Sequence, residues 1–88
     1  MMKNFINEEE MIRAFFKERL GTDDLQLNEP LTELEGYESI LIVELIMFIE
    51  EELDIEIPDE YYGLENFETI SSILAVLQKS KKNGEETN

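Results

Sequence analysis

From Ile40 to Ile49 only Glu44 interrupts a run of apolar side chains, and Glu50-Glu51-Glu52-Leu53 closes it. A chain holding such a segment must bury it or present it to something else. The β-branched residues would suit a strand. The length of the segment, its acidic end and its lack of period-two alternation select a helix, from Ser39 to Leu53. That helix is apolar nearly all the way round, whereas a bundle helix needs only one stripe. Two readings stay open: a central helix covered on most sides, or a helix with an exposed apolar strip that a partner covers. Ile40, Val43 and Met47 share one face near the helix entrance and form the candidate strip. The run is too short, and too charged at Glu44, to span a membrane.

The rest of the chain supplies partners for this helix. Asn7 followed by Glu8-Glu9-Glu10 reads as a helix N-cap with acids in the first turn. Met11, Ile12, Phe15, Phe16 and Leu20 recur at helical spacing, Lys17 and Arg19 fall in the last turn, and Gly21 is a stop. Thr22 to Gly36 is a long connection, and Leu25, Leu27, Leu31 and Leu34 fasten it over the core. After the second helix, Pro58 biases Ile57 towards extended backbone, and Asp59 caps a short helix around Glu60 to Leu64. Thr69 caps a final helix with Ile70, Ile73, Leu74 and Leu77 on one face. The expected fold is all-α: a small four-helix bundle of three main helices and one short one, with a long loop between helices one and two. Residues 1–78 form the domain, with 1–6 as a short lead, and 79–88 form a disordered polar tail.

Charge narrows the function. The net charge is −15 over 88 residues, and no Lys or Arg occurs from Leu20 to Gln78. Such a surface repels nucleic acid and anionic membrane and complements a basic protein. The apolar fraction of 42% is too high for a disordered chain. Cysteine and histidine are absent, which removes disulfides, thiolate nucleophiles, zinc-thiolate sites and the usual proton-transfer residue at neutral pH. No catalytic residues are assigned, and a serine here has no evident base. The calcium-loop template also fails. Counting from Asp24 places Glu29 and Pro30 where a glycine and a carbonyl ligand belong, and counting from Asp54 places Asp59 at the glycine position, so no metal site is expected. No secretion signal pattern is visible, and the expected location is the cytoplasm.

One hydroxyl remains. Ser39 stands at the entrance of the apolar helix, directly after Glu38 and close behind Gly36. It is either an ordinary N-cap or the seat of a covalent phosphate, which the N–H groups and positive dipole end of a helix N-terminus would stabilise.

Glu38-Ser39-Ile40 followed by Val43-Glu44-Leu45, and downstream Glu50-Glu51-Glu52-Leu53-Asp54-Ile55-Glu56-Ile57-Pro58-Asp59, resemble the acyl carrier proteins. The resemblance extends from about Met11 to Leu77. Glu38 stands for the family's aspartate, Ile40 for its leucine, and Leu41 where fatty-acid carriers tend to be acidic. The resemblance implies a 4'-phosphopantetheine arm from coenzyme A on Ser39, next to Glu38. It implies a docking face of Ile40, Val43 and Met47 with Glu44, Glu50, Glu51 and Glu56 turned to basic partner enzymes. Those partners would be a phosphopantetheinyl transferase, an acyl- or aminoacyl-activating ligase and other biosynthetic enzymes, acting on a monomer. The segment Leu64-Glu65-Asn66-Phe67-Glu68-Thr69-Ile70 is more similar to carriers served by stand-alone ligases, which implies a specialised biosynthetic pathway. The alternative is an acidic interaction protein without a prosthetic group, an inhibitor or nucleic-acid mimic that occupies a basic site.

Overall fold

A computed structural model of the chain describes the backbone of residues 7–86 and the side chains of residues 7–81. Residues 1–6, 87 and 88, expected as lead and tail end, lie outside the described residues. Helix α1 spans Glu8–Leu20, α2 Ser39–Leu53 and α3 Ile70–Glu86. Among the described residues there is no strand, and no helix is long and apolar enough to cross a membrane.

The ends of α1 follow the sequence signals. Asn7 Oδ1 accepts a hydrogen bond from the Glu10 N–H at 2.9 Å. Gly21 takes the left-handed conformation at φ 75°, and its N–H donates to the Lys17 carbonyl. Helix α3 opens on a reciprocal box. The Ser72 N–H donates to Thr69 Oγ1 and the Thr69 N–H donates to Ser72 Oγ, each at 3.0 Å.

The core lies where the three helices meet. Met11, Ile12, Phe15 and Phe16 from α1 are buried with Leu41, Ile42, Leu45, Ile46 and Ile49 from α2. Helix α3 contributes Ile70, Ile73, Val76 and Leu77, while Leu74 is only half-buried. The connections fill the remaining space with Leu25, Leu31, Ile57 and Phe67. Each such side chain contributes roughly 1.5–3 kcal/mol by leaving water, so the loops are structural members rather than cover.

Two expectations need correction. The short helix over Glu60 to Leu64 is instead a pair of 3₁₀ turns, Asp59–Tyr61 and Leu64–Phe67. Gly63 separates them, and Pro58 rather than Asp59 stands at the cap position of the first. The polar stretch from Lys79 begins as helix rather than disordered chain: the backbone of α3 continues to Glu86. Ser80 turns inward and is buried, Lys81 pairs with Glu8 at the start of α1, and Lys79 lies 5.6 Å from the Tyr61 ring centroid. These cations find partners on the bundle, which the hydropathy of the segment does not reveal.

The long first loop holds a further 3₁₀ turn, Leu31–Glu33, and is fastened to one corner of the molecule. The Ser71 N–H donates to the Leu27 carbonyl at 3.0 Å, the Leu31 N–H donates to the Glu68 carbonyl at 2.7 Å, and the Tyr37 hydroxyl donates to the Phe67 carbonyl at 2.7 Å. All three bonds land where the last 3₁₀ turn runs into α3.

Candidate functional site

The chain reaches α2 through a tight sequence of constraints. Gly36 has φ 94°, a conformation that side chains other than glycine adopt at a cost. A Cβ there would also stand 2.9 Å from Leu20 Cδ2, so the loop lies directly against the end of α1. Tyr37 follows, half-buried against the core, with its N–H donating to the Leu34 carbonyl and its hydroxyl held by Phe67. Burial, and secondarily the Glu68 carboxylate, push the Tyr37 phenol above its ordinary value of 10.0.

Glu38 is extended at φ −141°, ψ 166° and occupies the cap position of α2, yet its side chain makes no capping hydrogen bond. Ser39 is therefore the first helical residue and not the cap, which corrects the simplest reading of its hydroxyl. The Leu41 and Ile42 N–H groups reach the Glu38 carbonyl at 2.9 and 3.4 Å. Helix geometry leaves the N–H groups of Ser39 and Ile40 without an intrahelical acceptor. In contrast with α1 and α3, this helix begins with no side-chain cap, and Glu38, Ser39 and Ile40 are all exposed. An exposed hydroxyl at an open, positively polarised helix end is suited to bear a phosphodiester.

The apolar helix is covered on one side and bare on the other. One face is buried, and Ile40, Val43 and Met47 remain 58%, 49% and 62% exposed along the other. The acids expected around this strip divide into two kinds. Glu51 and Glu56 are exposed. Glu44 is already bridged by Arg19 Nη1 at 2.5 Å, and Arg19 lies over the Phe15 ring, 5.5 Å from its centroid. Glu50 turns back into the fold, where its Oε2 accepts a hydrogen bond from the Ile57 N–H at 2.9 Å. An open groove of about 490 Å³ runs beside the strip between α1 and α2, lined by Phe15, Arg19, Glu44, Met47, Phe48 and neighbouring glutamates.

Sequence reasoning missed Tyr37 and the internal work of Glu50 and Glu44. The partners of Tyr37 and Glu50 are backbone groups, which no side-chain pattern announces. Arg19 could have been paired with an acid on α2 by charge alone, but its position in the last turn of α1 already gave it a use.

Residues 10–77 match the family model described as a phosphopantetheine attachment site. A curated acyl carrier protein from Bdellovibrio bacteriovorus is 34% identical to the chain over 73 residues, covering 81% of this chain and 91% of that protein.

Proposed function

The chain belongs to the acyl carrier protein family, and from that premise we propose that Ser39 bears its 4'-phosphopantetheine arm, with Glu38 at its side. Members of the family are carriers and not enzymes; they work with a phosphopantetheinyl transferase and with acyl-handling enzymes, and their prosthetic group is attached covalently. The observation that carries the assignment to Ser39 is its exposed hydroxyl on the first turn of a helix that no side chain caps.

In loading, the Ser39 oxygen attacks the coenzyme A phosphorus nearest the pantetheine. The new O–P bond forms as the bond to adenosine 3',5'-bisphosphate breaks, and the serine proton passes to a base of the transferase. The open N–H groups of Ser39 and Ile40 at the positive end of α2 would stabilise the charge of a diester on Ser39. When attached, the arm would supply the thiol that this chain, without cysteine, lacks, and so the means to carry an acyl or aminoacyl group as a thioester.

The docking face is proposed as Ile40, Val43 and Met47 with the acids Glu44, Glu51 and Glu56, while Glu50, whose carboxylate accepts the Ile57 N–H, serves the fold. Basic partner surfaces meet it by charge-steered, salt-sensitive encounter. The turn segment from Tyr61 to Thr69 supports service with a stand-alone activating ligase in a specialised cytoplasmic pathway. The test is intact mass before and after incubation with coenzyme A, Mg²⁺ and a broad-specificity transferase. The chain is expected to gain one phosphopantetheinyl group, and Ser39→Ala to fold and gain none. Modification of that variant would move the site elsewhere.

A further inference from the structure

We propose that Tyr37 is the positioning residue of the loading reaction, its hydroxyl fixing the entrance of α2 so that Ser39 is presented in a reactive pose. This rests on the assignment of the arm to Ser39. Glu38 alone separates Tyr37 from Ser39, and among the described residues no other side-chain bond clamps the backbone between them: Glu38 caps nothing, and Ser39 and Ile40 are exposed. The backbone just before passes close to Leu20 at Gly36, and the Tyr37 N–H donates to the Leu34 carbonyl. The Tyr37 hydroxyl, 2.7 Å from the Phe67 carbonyl, is the last fastening before the serine.

The other two bonds from the loop to this corner, Ser71 N–H to Leu27 and Leu31 N–H to Glu68, are backbone bonds and lie further from the serine in sequence. They persist when Tyr37 becomes Phe. The phenol ring stays half-buried against the core in that variant, so only the hydroxyl latch is lost. Phosphoryl transfer is sensitive to such a change because attack must be in line, and a misplacement of about 1 Å can cost two orders of magnitude in rate.

The experiment compares wild type, Tyr37→Phe and Ile73→Val in steady-state loading with coenzyme A, Mg²⁺ and transferase, at a temperature where all three are folded. Ile73 is fully buried in α3, and losing one methylene there serves as a control for loss of stability alone. Tyr37→Phe is expected to lower kcat about tenfold with KM nearly unchanged, while Ile73→Val changes neither. In the chain without its arm, amide hydrogen exchange at Leu41 and Ile42, whose N–H groups donate to the Glu38 carbonyl, is expected to quicken about tenfold in Tyr37→Phe, with α1 unaffected. Equal kcat for the two variants overturns the proposal, as does a rise in KM alone, which would mean that the phenol touches the transferase. If wild type itself gains no mass, the Ser39 assignment fails and this role fails with it; loading that is indifferent to Tyr37 removes only the latch.

Discussion

Glu50 separates holding the fold together from meeting a partner. Its carboxylate accepts the N–H of Ile57, a residue only 1% exposed, across the extended passage that follows α2. Replacing Glu50 with Ala leaves that N–H without its acceptor, and an unsatisfied buried donor costs about 1–3 kcal/mol. With about 2 kcal/mol as the central value, and about 4–8 °C per kcal/mol for a domain of this size, Glu50→Ala melts about 8–16 °C below wild type. Glu50→Gln keeps a carbonyl acceptor in the same place. It also removes one charge from the acidic end of α2, where the helix dipole makes an acid unfavourable by about 0.3–1 kcal/mol. It should therefore melt close to wild type. The assay is thermal unfolding followed by circular dichroism at fixed salt. The reasoning fails if Glu50→Ala melts with wild type, or if Glu50→Gln falls as far as Glu50→Ala.

Other outcomes follow from single features. The Ser80 hydroxyl is buried with no hydrogen-bond partner among the described residues, so Ser80→Ala should raise stability by about 1 kcal/mol, read as a higher urea midpoint; a lower midpoint would show that the hydroxyl is satisfied. The Tyr37 phenol titrates above 10.0 in the folded chain, so folding favours its neutral form. That contribution is full below pH 10.0 and is lost as pH rises through the higher folded value, so the stability gap between wild type and Tyr37→Phe should close in that window. A gap that widens there would reverse the sign of the argument. With a net charge of −15, added NaCl or Mg²⁺ should raise the melting temperature, and a flat response would mean that self-repulsion is negligible.

Most of the architecture was legible because it rests on local chemistry. Asn7, Gly21 and Thr69 cap where short-range rules put them, and the alternation of apolar residues along α1 and α3 matches their buried faces. The failures share one cause. Lys79 and Lys81 read as solvent-loving tail until Tyr61 and Glu8 are brought beside them, and Glu60 to Leu64 reads as a helix until Gly63 and the packing of Phe67 split the segment into two turns. Ser39 was visible as a hydroxyl at a helix entrance, but a cap and a first-turn residue differ by one position, which only the backbone angles of Glu38 resolve. The exposed strip was legible as a possibility, since an all-round apolar helix cannot say which side its neighbours leave bare.

The corner where Phe67, Glu68 and Ser71 receive the first loop has a consequence for the order of events during synthesis. Ser39 leaves the ribosome before the residues that fasten its loop. A nascent chain ending short of Phe67 has the serine but not the fixture that presents it, and its second helix has no third helix to lie against. On the proposal that Ser39 bears the arm, loading is expected to be slower on a chain truncated before Phe67 than on the whole chain.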